Sequence, residues 1–133
     1  MPAQYKPFFA RHIDERHSTF GREPLDAQYW ICYYGYACFE PPDTYFYDLA
    51  SNGDAVIPLL LAKLKGNPDD LTREVVFQVF GDMARDFVDL RNREDVQSAL
   101  RESLSTTRSG FTRQLCASEL RVVETHNGRP STG

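Results

Sequence analysis

The spacing of apolar residues between Gly53 and Glu124 constrains the fold of this 133-residue chain more than any other feature. Apolar side chains recur there at intervals of three and four, which places them on one face of an α-helix. No run in this region alternates between apolar and polar residues as a half-buried strand would. The sequence therefore predicts an all-α protein, folded as a compact bundle of five or six helices.

Four of these helices lie in the second part of the chain, separated by polar turns. Their predicted bounds are residues 55–65, 70–88, 93–104 and 110–124. The side chains predicted to cap them are Asp54, the Asn-Pro-Asp-Asp turn at residues 67–70, Asn92, and either Thr107 or Ser109. In the last helix the predicted inward face carries Phe111, Leu115 and Val122.

Two more helices are predicted upstream. Tyr29, Cys32 and Tyr36 follow helical spacing within residues 25–39, and the prolines at 41 and 42 end that helix. A strand is the alternative because aromatic residues favour sheets, but Asp26 near the start favours a helix. A short helix over residues 44–50, capped by Asp43, follows.

The chain length suits one domain with a hydrophobic core. Residues 1–22 lack clear periodicity and are predicted to form an N-terminal arm with about one helical turn. A single helical domain is predicted over residues 23–124, followed by a disordered tail over 125–133.

The charge distribution favours a basic partner over nucleic acid. The net charge is −4, and residues 23–62 contain six acids without any Lys or Arg. Nucleic-acid binding requires the opposite balance. The start of the chain lacks the long apolar core of a secretory signal, and no apolar run is long enough to cross a membrane. A cytoplasmic protein with three reduced cysteines is therefore predicted.

The segment at residues 53–87 resembles a HEAT-like helical repeat. Pro58 precedes a leucine run, a turn with Asn67 and Pro68 follows, and Arg73 and Gly81 lie at matching places in the second helix. The resemblance covers only this segment and implies one HEAT-like helical hairpin. It also implies a scaffold that binds other proteins rather than an enzyme.

No catalytic signature is recognised, and no catalytic residue, cofactor or metal site is predicted. The serine-hydrolase, phosphate-loop and dinucleotide-binding patterns are missing from the sequence. His12 and His17 lie five residues apart, which does not match the spacing of zinc proteases. The three cysteines do not have zinc-ribbon spacing either.

The stretch from Tyr29 to Tyr47 is the principal candidate site because it holds nine of the chain's seventeen aromatic residues. One helix cannot bury rings on every face, and tyrosine suits positions where one end remains hydrated. Aromatic residues beside acids are typical of protein interfaces. The residues predicted to contact a partner are Trp30, Tyr33, Tyr34, Glu40, Asp43, Tyr45, Tyr47 and Asp48.

A second candidate partner face follows the longest helix. Acids recur there at helical spacing and are predicted to line its solvent-exposed side: Glu74, Asp82, Asp86 and Asp89. In composition the chain also resembles small bacterial immunity proteins, including those that neutralise colicin nucleases, and this implies an immunity or antitoxin role against a basic toxin or effector.

Two alternatives stay open. One is a small-molecule binding protein or enzyme with a tyrosine-lined pocket. The other is a structural or regulatory domain that forms a homodimer and buries the aromatic residues against a second copy.

Overall fold

Helices form all the regular structure in residues 1–38 and 45–129, the part of the chain that the computed structural model describes. The all-α prediction is confirmed. The α-helices are α1 (Lys6–Phe9), α2 (Ile13–Phe20), α3 (Leu25–Cys38), α4 (Phe46–Ala50), α5 (Ile57–Lys63), α6 (Asp70–Asp86), α7 (Glu94–Ser105) and α8 (Gly110–Thr125).

Helix α6 is the centre of the bundle. It packs most extensively against α8 and also contacts α3, α4 and α5. Its apolar stripe is fully buried at Val76, Phe80 and Met83, whereas Phe87 just beyond the helix is half-buried. Asp69 caps the helix by accepting the Thr72 amide at 2.7 Å.

The second half of the chain forms two successive helical hairpins, α5 with α6 and α7 with α8. They lie side by side, because α6 packs on α8 and α5 contacts α7. Pro58 stands in the first turn of α5, where its missing amide hydrogen leaves no helical bond unmade.

The N-terminal segment contributes to the core. The predicted arm with one turn instead contains α1, α2 and a short 3₁₀ turn over Ala3–Tyr5. Its four buried aromatic side chains join the central cluster: Tyr5, Phe8, Phe9 and Phe20. The helices are too short to produce a visible period, so apolar burial decides their placement.

Residues 126–129 also contact the bundle, although a disordered tail was predicted over 125–133, of which residues 130–133 lie outside the described part of the chain. The Gly128 amide donates a hydrogen bond to the Ala84 carbonyl at 2.7 Å. Gly128 has φ +75°, and a Cβ there would collide with the backbone of Val88 and Asp89.

Two predicted caps are wrong. Helix α7 begins at Glu94 after Arg93 rather than after Asn92. A 3₁₀ turn over Gly53–Val56 precedes α5, so Asp54 does not cap that helix. Ser109 does cap α8, accepting the Thr112 amide at 3.4 Å. The predicted cap at Asp43 lies outside the described residues.

The predicted inward face of α8 is wrong by one residue. Phe111 is 70% exposed, and Leu115 and Val122 are only half-buried. Thr112 turns inward instead because its hydroxyl donates a hydrogen bond to the buried carboxylate of Glu74 at 2.8 Å. The residues of α8 that face the core are Thr112, Cys116, Leu120 and Val123.

Candidate functional site

The aromatic stretch does not form one surface. Tyr29 and Cys32 on α3 are fully buried, as the helical pattern predicts. Trp30, Tyr33 and Tyr34 are half-buried beside this buried face, and the rings of Trp30 and Tyr33 contact the Tyr29 ring. We call these three residues the α3 cluster.

The rings of the α3 cluster hold one another in place. Trp30 and Tyr34 stack with centroids 5.9 Å apart, and Tyr33 meets both rings edge to face at 5.3 and 5.1 Å. Contacts of this kind add to the energy of burying the rings. Tyr34 also packs against the Tyr5 ring of the N-terminal segment at 5.8 Å, so the cluster is fixed within the bundle.

Two polar contacts border the α3 cluster. The Lys63 ammonium lies 4.6 Å from the centre of the Trp30 ring and 3.3 Å from the Asp26 carboxylate. The Tyr33 hydroxyl donates a hydrogen bond to Asp69 at 3.0 Å. Loss of solvent and this carboxylate raise the pKa of Tyr33 to about 12, so the phenol stays neutral and keeps donating.

Tyr45 is not available to a partner, contrary to its predicted role. Its side chain is fully buried and stacks on Phe20 with centroids 5.3 Å apart. Its neighbour Asp48 is half-buried and lies 3.2 Å from Nδ1 of His17, an ion pair that joins α2 to α4 when the imidazole is protonated. His12 instead caps the N-terminus of α2, where its ring accepts a hydrogen bond from the Asp14 amide at 3.3 Å.

Tyr47 forms a separate surface with residues at the end of α6. It is 52% exposed, and its ring lies 4.9 Å from that of Phe87. Loss of solvent at its hydroxyl and the nearby carboxylates of Asp86 and Asp82 raise the pKa of Tyr47. The structure therefore brings one member of the first predicted set together with two members of the second.

Glu119 extends this surface from α8. Arg85 reaches the Asp82 carboxylate at 3.1 Å and the Glu119 carboxylate at 3.4 Å. Burial raises the pKa of both acids, and the arginine only partly offsets it. We define the Tyr47 surface by five residues: Tyr47, Asp82, Asp86, Phe87 and Glu119.

Gly81 makes this arrangement possible. A Cβ at Gly81 would occupy the place of the Glu119 carboxylate, which lies directly over the α6 backbone. The inner oxygen of Glu119, Oε2, is buried without a hydrogen-bond partner among the described residues. A glycine inside an amphipathic helix can indicate that another group packs closely against the helix backbone. The sequence alone does not identify Glu119 as that group.

The remaining acids of the second predicted face lie elsewhere. Glu74 is only 8% exposed, contrary to the predicted surface position, and accepts hydrogen bonds from Tyr36 and Thr112 at 2.7 and 2.8 Å. Asp89 is exposed and pairs with Arg91 at 2.7 Å, and those hydrogen bonds lower the pKa of Asp89 to about 2. Glu40 and Asp43 lie outside the described residues.

A cleft of about 370 Å³ opens between α5 and α7. Leu61, Leu64 and Ala99 form its apolar floor, and Lys65 and Glu102 stand at its edge. None of the residues lining this cleft is a tyrosine. The predicted tyrosine-lined pocket therefore does not correspond to this cavity.

The cysteines and the metal-ligating side chains were compared over residues 1–38 and 45–129. Cys32 and Cys116 are buried and Cys38 is exposed, and all three are free thiols. Across the same residues, no group of three or more His, Cys, Asp or Glu side chains is arranged to hold a metal ion.

No described helix combines the length and the apolar character needed to cross a membrane. Comparison with protein families, curated proteins and solved structures finds no match for this chain.

Proposed function

We propose that this chain is a small protein-binding module that engages a basic partner through the Tyr47 surface. The observation that carries the proposal is the combination of an exposed tyrosine with the three carboxylates of Asp82, Asp86 and Glu119, to which Arg85 supplies one positive charge. Aromatic residues provide contact energy at interfaces, and the acids provide steering and orientation.

The partial burial of Asp82 and Glu119 adds to this proposal. Burial opposes the charged form of each acid, and one arginine shared between them does not remove the cost. An arginine or lysine from a partner would supply the missing positive charge and would relieve that cost on binding. A basic segment should gain more binding free energy from this surface than from an isolated exposed acid, because exposed ion pairs contribute little.

The biological role that we propose is the masking of a basic toxin or effector by a cytoplasmic immunity protein or antitoxin. The support is the acidic balance of the chain, the absence of a recognised catalytic signature in its sequence, and the resemblance of its composition to that of small immunity proteins. A masking protein must bind tightly and block a functional surface, which a rigid helical bundle with a pre-positioned aromatic residue can do.

The test begins with capture of partners on immobilised wild-type protein and, in parallel, on Tyr47→Ala/Asp86→Asn. Tyr34→Ala is the matched control, because it removes a tyrosine from the α3 cluster and leaves the Tyr47 surface intact. Each captured protein is identified by mass spectrometry and titrated against all three proteins by calorimetry.

We expect a basic partner that loses at least about tenfold in affinity with the double variant and binds the control like the wild type. Its affinity should fall as salt is added, because salt screens the charges. An acidic partner, or a basic one that binds the double variant as tightly as the wild type, would overturn the proposal.

A further inference from the structure

The cleft between α5 and α7 has the size and the lining of a small-ligand site. Its volume is about 370 Å³, at the small end of the range for ligand pockets. Leu61, Leu64 and Ala99 form an apolar floor, and hydroxyl and charged side chains stand around it. Ligand pockets combine an apolar lining with a few polar groups that fix the ligand's orientation. The lining includes none of the residues of the Tyr47 surface, so the two places are separate.

Helices α5 and α7 begin at the same end of this cleft. Asp54, in the 3₁₀ turn before α5, lies 3.3 Å from Arg93, which directly precedes α7. At the opposite end Arg73 of α6 joins the two helix ends. It donates hydrogen bonds to Asn67, in the turn after α5, and to Thr106, which directly follows α7. That end of the cleft is therefore next to a buried guanidinium.

Arg73 is a buried cation with little negative charge around it. It is 4% exposed, and three of its hydrogen bonds go to the neutral side-chain oxygens of Asn67, Ser103 and Thr106. Among the described residues, the one carboxylate that accepts a hydrogen bond from it is that of Asp70, at 3.3 Å, whose side chain is 47% exposed. Arginine stays charged inside proteins, and a buried charge is stabilised by an opposite charge nearby. This end of the cleft therefore favours an anion.

Ser103 presents a hydrogen-bond donor at the same end. It lines the cleft and is only 6% exposed. Its Oγ accepts a hydrogen bond from Nε of Arg73 at 3.3 Å, and its own hydroxyl has no acceptor among the described residues. Thr106 differs, because its hydroxyl already donates to the Ser103 carbonyl. The Ser103 hydroxyl can therefore donate to a ligand, and the arginine behind it polarises that donor.

The charged side chains of the lining also favour an anion at this end. Lys65 is exposed and lines the cleft just beyond the end of α5. Of the two acids in the lining, Asp95 already pairs with Arg93 at 3.0 Å. Glu102 is exposed, where solvent and salt screen its charge.

We propose that the cleft binds a small carboxylic acid with an apolar body. The carboxylate accepts the Ser103 hydroxyl beside the Lys65 ammonium, and the apolar body covers the floor of the cleft. Burial of that body supplies most of the binding free energy, and the charges fix its orientation. An amine of the same shape gains the same apolar contact but brings a positive charge to the positive end.

Octanoate is the probe, and octylamine is the comparison molecule of the same length and opposite charge. Each is titrated at about pH 7 into isotopically labelled protein, and the amide NMR shifts are followed. We expect a Kd of about 1 mM or tighter for octanoate, as suits a ligand of this size, and at least about tenfold weaker binding of octylamine. The shift changes should concentrate at residues 61–66 and 99–106.

Three variants separate the charge from the apolar floor. Lys65→Gln should weaken octanoate binding at least about threefold, and Lys6→Gln, at an exposed lysine of α1, is its matched control. Ala99→Leu should abolish binding because the larger side chain fills the floor, and Ala62→Leu, at an exposed position on α5, is the control for added bulk. Glu102→Gln should bind octanoate at least as tightly as the wild type.

Several results would overturn the proposal. Octylamine that binds as tightly as octanoate, or octanoate binding that is weakened by Glu102→Gln, would mean that the site selects cations. Octanoate binding that is unchanged in both Lys65→Gln and Ala99→Leu would show that the cleft is not the site. So would shift changes outside the cleft, or the lack of any change up to about 20 mM octanoate.

Discussion

Substitution of Gly81 by alanine tests how α8 is seated on α6. The new Cβ would take the place of the Glu119 carboxylate, which lies at the flexible end of its side chain rather than on the backbone. We expect Glu119 to swing away towards solvent while the two helices keep their packing. The substitution therefore exchanges one side-chain contact for a better helix former.

Two terms of similar size set the expected result. Alanine in a helix interior is more favourable than glycine by about 1 kcal/mol. Glu119 loses its pair with Arg85, which is partly exposed, and such pairs contribute at most about 1 kcal/mol. Gly81→Ala should therefore change the free energy of unfolding by less than about 1 kcal/mol.

Urea unfolding of four proteins checks this reasoning: the wild type, Gly81→Ala, Glu119→Ala and the double variant. Once Glu119 is truncated, the alanine at 81 should stabilise the protein by about 1 kcal/mol relative to Glu119→Ala alone. Gly110→Ala, where a Cβ meets nothing, is the control. A loss of more than about 2 kcal/mol from Gly81→Ala in both backgrounds would refute the reasoning, since the obstacle would then be the packed helix itself.

Three further predictions concern stability. The raised pKa of Glu119 means that ionising its carboxylate costs the folded state stability as the pH rises above the ordinary value of 4.5. The free energy of unfolding of Glu119→Gln, measured by urea unfolding, should therefore rise relative to that of the wild type as the pH increases from 4.5. A difference that does not change with pH would contradict this. Thr112→Val should destabilise the protein by about 1–3 kcal/mol, because the buried Glu74 carboxylate loses a hydrogen-bond donor. Phe111→Ser, at an exposed position, should be within about 0.5 kcal/mol of the wild type. If thermal melts instead show Phe111→Ser to be the less stable variant, α8 would be rotated as its sequence suggested. Gly128→Ala should release the C-terminal segment and raise amide exchange at its hydrogen bond without disturbing the core, and unchanged exchange would show that the segment is not docked.

The main helices could be predicted from the sequence because their signals are local. Each signal involves residues close together in the sequence: the apolar spacing of α6, its cap at Asp69, and Gly66 after α5. The same rules fail for α1 and α2, whose turns are too short for a period, although Phe8 and Phe9 are buried in the core.

The interior polar contacts could not be predicted from local signals. Glu74 belongs by spacing to an exposed acidic stripe, but Tyr36 and Thr112 meet its carboxylate from two other helices. That tertiary contact also turns α8, which exposes Phe111.

The acidic and aromatic character of the candidate surface could be predicted from the sequence, but the residues that form it could not. Composition indicates an acidic and aromatic surface, and Tyr47 with Asp82 and Asp86 belongs to it. The burial of Tyr45 and the arrival of Glu119 from α8 depend on how the helices pack, and no spacing in the sequence encodes either.

The most direct test of the proposed function is to map the partner's footprint on the folded chain. Amide NMR shifts of isotopically labelled protein would be followed as the captured partner is added. We predict that the changes concentrate at Tyr47, at the end of α6 near Asp86, and beside Glu119 on α8. Changes confined to the α3 cluster or to the cleft between α5 and α7, with the Tyr47 surface unaffected, would contradict the proposal.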